Sequence, residues 1–449
     1  MKKIVVLGAG ESGNGAAILA HVKGYDVFVS EFGIIKDVYK EELKQYGISF
    51  EEGGHTYDKI REGDIIVKSP GIPEKAPIII ALRAENKEII SEIEWGYRFV
   101  NDSKIVAITG SNGKSTTTAL TYHLFKNANL DVSMVGNIGI SFAKQVALQP
   151  TTWYIIEVSS FQLDDITSFK PDIAILLNIT PDHLDRYHYN INEYAAAKFN
   201  IIRYQTAQDY FIYNIDDPIT VEHLNQYTIK SKQLCITMNN EAFLNDHDGA
   251  FKDNNSINIK IQDESMAQSI DDLVVRGKHN IYNTMAAGIS AKVAGIRNEL
   301  LRESFSTFNG LEHRLEFVAT VRGVDFINDS KGTNLNSVWY ALESMTKNVV
   351  LILGGQDKGN DYSEIVDLVQ EKVRAIVCLG INNELIHDAF DNVVANIVDT
   401  KSAHDAVSAA YSFAEQGDVV LLSPGCASFD LFRNFEDRGM QFKQAVREL

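Results

Sequence analysis

Four times along this chain a short apolar, β-rich run stops at a loop of glycine, serine or asparagine, and a helix-like stretch follows. Residues 4–7 lead into GAGESGNG, 105–108 into TGSNGKST, Val349–Leu353 into GGQDKGN and Val419–Leu422 into SPGCAS. Strands alternating with helices predict an α/β fold whose parallel sheets are covered on both faces. Ligands in such folds bind beyond the carboxyl ends of the strands, where all four loops fall. With 449 residues the chain has room for several units of this kind. A break at NDSK near Asp102 and another near Gly310 divide it into 1–102, 103–310 and 311–449. The Asn/Asp-rich stretch 239–272 reads as surface loops or a poorly packed edge.

The phosphate signal is in GSNGKST, between the strand KIVAIT and the helix STTTALTYHLF. Gly110 and Gly113 let the backbone turn its amides toward phosphate oxygens. Lys114 adds a point charge, Ser115 a hydroxyl for Mg²⁺, and the helix start favours the anion further. The alternative is a turn with an accidental Lys-Ser, which the strand, loop and helix context disfavours. The general pattern GxxxxGK[ST] has a first glycine where this chain has Ile108. A second loop, Gly8-Ala9-Gly10-Glu11-Ser12-Gly13, is a formal GxGxxG; it fits a nucleotide cradle, or glycines that merely allow tight helix–strand packing. SPGI at 69–72 could line the same crevice or be a plain turn.

A net charge of −18 argues against nucleic acid or anionic membrane as partner, because either needs a broad basic surface. It does not exclude a small phosphate ligand. No apolar run reaches the ~18 residues of a membrane span. MKKIVVLGAG ends in a glycine loop with no cleavage site, so it reads as a first strand, not a signal peptide. Cys235, Cys378 and Cys426 are far apart, which suggests neither disulfides nor zinc and fits the cytoplasm.

Other polar side chains cluster at strand tips. WYIIE ends at Glu157, placed either to ligate Mg²⁺ or simply as an exposed strand-end acid. PDHLDRY gathers Asp182, His183 and Asp185 after another strand. Lys198, on the helix-like NEYAAAKFNI, reads from composition as a solvated lysine. In the last third, NDSKGTN, LGGQDKG and LSPGCASFD put Asp329, Lys331, Thr333, Lys358, Ser423 and Phe429 after strands. Each could be a plain surface loop; three together suggest a substrate floor.

These motifs, with EVSSFQLD, NITPDHLDRY, YAAAKFNI, GKHNIYN, EHRLEF and SPGCASFDLFRNFEDRG, occur in the order found in the Mur ligases of bacterial cell-wall synthesis, which the chain resembles over nearly its whole length. EVSSFQLD and the SPGCASFD stretch are most similar to the D-glutamate-adding branch. The resemblance implies three domains: an N-terminal Rossmann-like UDP-substrate domain, a central P-loop ATPase domain with a mainly parallel sheet, and a C-terminal Rossmann-like amino-acid domain. It implies an ATP-dependent ligase, expected to be monomeric, that joins D-glutamate to UDP-N-acetylmuramoyl-L-alanine through an acyl phosphate.

Residue by residue, the resemblance implies that Gly110, Asn112, Gly113, Lys114, Ser115 and Thr116 hold the ATP phosphates, with Asn280, Arg314 and Asp329 also contacting ATP. Ser115, Glu157, His183 and a carbamylated Lys198 would hold two Mg²⁺ ions, and Lys114, His183 and Lys198 would be catalytic. Gly10, Glu11, Ser12, Ser30, Glu31, Phe32, Ser69, Gly71, Asn137 and His183 would bind the UDP-substrate. The family often carries Asp-Thr-Arg where this chain has Ser30-Glu31-Phe32. Lys331, Thr333, Lys358, Ser423 and Phe429 would receive D-glutamate. Three rivals stand beside it. A folate-type polyglutamate ligase would lack the UDP domain, and an NAD(P) oxidoreductase would leave the P-loop and Lys198 unexplained. A non-catalytic nucleotide-regulated protein would release no phosphate when D-glutamate is added.

Overall fold

The computed structural model describes residues 2–182, 184–240, 248–262, 264–274, 277–308, 310–357 and 359–449. The chain divides into two compact units, Met1–Leu273 with Ile281–Phe308, and Val274–Asn280 with Asn309–Leu449. The described residues form sheets of five, nine and six strands.

The first unit carries two sheets. Strands β1 (Lys3–Leu7), β2 (Asp26–Ser30), β3 (Ser49–Glu51), β4 (Ile65–Lys68) and β5 (Glu88–Ser91) pair in parallel in the order β3-β2-β1-β4-β5. The second sheet contains β6 (Lys104–Thr109), β7 (Val132–Gly136), β8 (Trp153–Glu157), β9 (Ile173–Leu176), β10 (Tyr210–Asn214), β11 (Lys232–Thr237), β12 (Gly249–Asp253), β13 (Ser256–Ile261) and β14 (Glu264–Ser269). Its order is β14-β13-β12-β11-β10-β9-β6-β8-β7. Central strands such as IAIL of β9 are buried along their whole length, as expected where helices cover both faces. The apolar residues of both sheets merge into one core that includes Ile4, Trp95, Phe142 and Tyr154. The Trp95 indole N–H donates to the Ala16 carbonyl at 3.2 Å.

The Asn/Asp-rich stretch, read as surface loops or a poorly packed edge, holds edge strands of the nine-stranded sheet. Residues 249–269 form β12, parallel to β11, and then two antiparallel hairpins. Asn254 and Gln262 take the left-handed conformation at the turns, φ 48° and 54°. Asn254 and Asn255 form the first of these turns, while Ala250, Ile257, Ile259 and Met266 are buried.

The second unit holds β15 (Glu316–Val321), β16 (Val324–Asn328), β17 (Val349–Leu353), β18 (Val373–Leu379), β19 (Ile397–Thr400) and β20 (Val419–Leu422). They are ordered β15-β16-β20-β17-β18-β19, parallel except for the β15–β16 hairpin. Among the described residues no helix is long and apolar enough to cross a membrane.

Candidate active site and nucleotide cavity

GSNGKST leaves β6 and opens the helix Lys114–Asn127. Gly110 and Gly113 have φ of 154° and 82°, values that a side chain disfavours. A Cβ on Gly113 would also come within 2.4 Å of the Asn283 side-chain oxygen. Neighbouring elements hold the loop. The Ser111 and Asn112 amides donate to the Asn178 backbone and side-chain oxygens, both at 2.9 Å. The Asn178 side-chain N–H returns to the Asn112 carbonyl at 3.1 Å. The Ser111 hydroxyl donates to the Thr180 carbonyl at 2.8 Å.

Two amines converge on this loop. Lys114 Nζ donates to the carbonyls of Gly110 and Ser111, both at 2.8 Å. Lys198 Nζ, on the helix Ile191–Phe199, donates to the same Gly110 carbonyl at 2.8 Å. Lys198 is 1% exposed, which overturns the solvated reading. Its Nζ lies 4.4 Å from the centre of the Tyr194 ring. Burial, reinforced by the charge of Lys114, holds its pKa well below the usual lysine value, against the pull of Asp182 and Asp164.

Glu157 ends β8, paired in register with Ile108 of β6, so it stands at the strand tip beside the loop. It is buried, not exposed. One carboxylate oxygen accepts from the Asn137 side chain at 2.9 Å, and the other, Oε2, is buried with no hydrogen-bond partner among the described residues. An unpartnered buried carboxylate oxygen is costly, and a hard cation is the partner such an oxygen suits. Ser115 and Thr116 are buried in the first turn of the following helix. Asn137 is thus bound to Glu157 and does not line the cavity described next. His183 lies outside the described residues.

A cavity of about 1010 Å³ opens beyond the carboxyl ends of β1, β2 and β4. Gly10, Glu11, Ser12, Glu31, Phe32, Ser69 and Gly71 line it; Ser30 is fully buried behind them. The glycines of GxGxxG divide their work. A Cβ on Gly13 would strike the Gly8 carbonyl oxygen at 1.8 Å, so Gly13 serves close packing, whereas Gly10 faces open space. The close-packing reading of that motif thus holds at Gly13, and Gly10 is the glycine left facing the cavity. The Glu31 carboxylate accepts the Ala9 and Gly33 amides at 2.7 and 2.9 Å.

In the second unit Asp329 follows β16 and is 1% exposed. It accepts from the Ser423 hydroxyl at 2.9 Å and lies 3.6 Å from an Arg314 guanidinium nitrogen. Burial raises its pKa against these two partners. Asn280 is buried. Lys331 Nζ lies 5.5 Å from the centre of the Phe435 ring, Thr333 is exposed, and the Phe429 ring is 65% exposed. Lys358 lies outside the described residues. Sequence reasoning missed Asn178, which straps the loop, and Tyr194, one turn before Lys198; the four-residue spacing on a helix was the available signal for the latter.

Comparison with known proteins matches three family profiles along the chain. They are the MurD N-terminal domain over residues 3–78, the Mur ligase middle domain over 108–291, and the Mur ligase glutamate ligase domain over 313–426. The chain is 52% identical over 454 aligned residues to the UDP-N-acetylmuramoylalanine--D-glutamate ligase of Bacteroides fragilis, covering 100% of both proteins. It is 50% identical to the protein of that name from Porphyromonas gingivalis, covering 99% of this chain and 98% of the other. Among solved structures, the UDP-N-acetylmuramate-alanine ligase of Thermotoga maritima has the same fold, with a TM-score of 0.63 at 16% identity and 100% coverage of both chains. The pseudomurein peptide ligase type C of Methanothermus fervidus superposes with a TM-score of 0.62 at 20% identity, again covering both chains fully. The chain belongs to the Mur ligase family.

Proposed function

We propose that this Mur ligase joins D-glutamate to UDP-N-acetylmuramoyl-L-alanine in peptidoglycan precursor synthesis, using ATP and releasing ADP and phosphate. The observation that carries this reading is 52% identity over the full length to a protein bearing that ligase's name. The β6 and β8 strand tips support it with the chemistry required: a phosphate loop, two converging amines and a buried acid.

A carboxylate does not react with an amine at neutral pH, because oxide is a poor leaving group. The L-alanine carboxylate of the substrate attacks the γ-phosphorus of ATP, ADP departs, and an acyl phosphate forms. The D-glutamate amine then adds to the acyl carbon and phosphate leaves. Lys114 and the loop amides neutralise charge that gathers on the transferring phosphoryl group. Mg²⁺, when bound, supplies further positive charge for that transfer. Ser115, Glu157, His183 and Lys198 are the residues we assign to two such ions, and the unpartnered oxygen of Glu157 suits that role.

Lys198 would act as its carbamate. Only a neutral amine adds to CO₂, losing one proton as the N–C bond forms, and burial beside Lys114 favours the neutral amine. The product is an anion where a lysine stood, which suits a cation-holding site. We assign 1–102 to the UDP-substrate, 103–310 to ATP and 311–449 to D-glutamate. Asn280, Arg314 and Asp329 serve ATP, and Lys331, Thr333, Lys358, Ser423 and Phe429 serve the amino acid. The enzyme acts as a monomer in the cytoplasm, where ATP is at hand. Phosphate release with UDP-N-acetylmuramoyl-L-alanine across a panel of D- and L-amino acids tests the reading. D-Glutamate alone should give rapid turnover; equal rates with both enantiomers would refute it.

A further inference from the structure

Resting on the assignment of the first unit's cavity to the UDP part of the substrate, we propose that His55 selects the base. Its Nε2 atom accepts the imide N–H of uracil, with the Phe32 ring beside it as a stacking face.

A chain of two short contacts fixes the tautomer. Ser30 Oγ lies 2.7 Å from Glu51 Oε1 and 2.8 Å from His55 Nδ1. Glu51 also accepts from the Thr56 amide at 2.7 Å and from Lys59 at 3.2 Å. Burial pushes its pKa upward, but these donors outweigh it and bring the value to about 2, so Glu51 is ionised and can only accept. Serine has one hydroxyl proton. It points to Glu51, and the serine oxygen then accepts from His55 Nδ1–H. The opposite assignment would set the serine oxygen and a carboxylate oxygen against each other at 2.7 Å with no proton between them. Burial lowers the His55 pKa despite Glu31 and Glu51, which favours the neutral ring. Nδ1 therefore carries the single ring proton, and Nε2 presents a lone pair. No described residue bonds Nε2, and His55 lines the cavity.

The His55 neighbours Glu31 and Phe32 are, respectively, engaged and apolar. Both Glu31 oxygens already accept backbone amides, although an acid at the end of a second strand is the usual ribose contact in dinucleotide folds. The Phe32 ring is 73% exposed and stands 5.7 Å from the His55 ring at 49°. Exposed aromatic faces hold planar bases with little regard to identity, so discrimination falls to the acceptor. Uracil offers one ring donor, N3–H. Cytosine has none at that position.

The test is equilibrium binding of UDP and of its N3-methyl analogue to the full chain, to His55→Ala and to His55→Phe, with melting temperatures recorded. The wild-type protein should bind UDP about tenfold more tightly than the methylated analogue, the scale of one hydrogen bond lost at an otherwise matched site. Both variants should bind the two ligands alike and melt as the wild type does. Equal binding of the two ligands by the wild type, a comparison that needs no variant, would overturn the acceptor role. So would a preference for UDP that survives in folded variants. Either result leaves the cavity assignment standing, whereas failure of the wild type to bind UDP at all overturns the assignment itself.

Discussion

Two amines share one carbonyl oxygen. Lys114 and Lys198 both reach Gly110 at 2.8 Å, and two ammonium ions so placed repel. The buried one gives up its proton more readily, leaving one cation and one neutral amine at the loop, as the proposed phosphate and carbamate roles require. Lys114→Ala should therefore lower phosphate release by about 10²–10³-fold, the cost of removing one preorganised charge partner; near-normal turnover would take the loop out of the mechanism. Lys198→Ala should lose activity at every bicarbonate concentration, while wild-type activity rises with bicarbonate. Full activity of the variant at saturating Mg²⁺ would exclude the carbamate. Little of this was legible from residue type. A lysine on NEYAAAKF belongs in water by composition, and only the order of motifs argued otherwise. The loop residues were legible, because glycine, lysine and serine each have a mechanical reason at their positions. His55 was not: it follows Gly53-Gly54 with no spacing rule attached, and its proposed role depends on Ser30 and Glu51, which lie 25 and 4 residues before it.

At the scale of elements, the helix Glu92–Tyr97 begins with an acid that is 1% exposed. Glu92 Oε1 accepts from the Ser141 hydroxyl at 2.5 Å and the Ala143 amide at 2.7 Å, while Oε2 has no partner among the described residues. Burial, with Glu11 adding to it, outweighs those donors and pushes the carboxyl from 4.5 up to about 7. Between those two values the folded chain binds more protons than the unfolded one, so stability falls as pH rises through the window and levels off above it. At ~1.4 kcal/mol per pH unit the loss is about 3 kcal/mol. Glu92→Gln should cancel that slope. In urea titrations the variant should gain on the wild type at pH 8 but not at pH 4.5, and a pH-independent difference between them would contradict the argument. Strands buried on both faces were readable as continuous apolar runs. The β12–β14 extension was not, because its turns are dense in asparagine and aspartate and its strands present only one apolar face.

At the scale of the molecule, the alternation of strands and helices foretold parallel sheets, and three were found among the described residues, two of them with antiparallel edge strands. That two of them share one core was not readable. The joining contacts, such as Glu94 to Phe169 and Glu92 to Ser141, pair residues that no periodicity links. The cavity beyond β1, β2 and β4, proposed to take UDP, is lined wholly by the first unit. In calorimetry, saturating UDP should therefore raise the melting transition of that unit, by about 2.7 kcal/mol at a hundredfold excess over Kd, and leave the transition of the other unit in place. Equal shifts of both would show the units unfolding as one. The phosphate loop adds a matter of timing. Its seven residues are contiguous, yet Asn178 bonds it from 66 positions away, Lys198 from 88, and Asn283 reaches the helix behind it from 166. Contacts of such separation form late. During synthesis the chain must emerge well past Asn283 before the loop is secured on every side, so a half-made protein carries the ATP motif without the scaffold that would let it consume ATP.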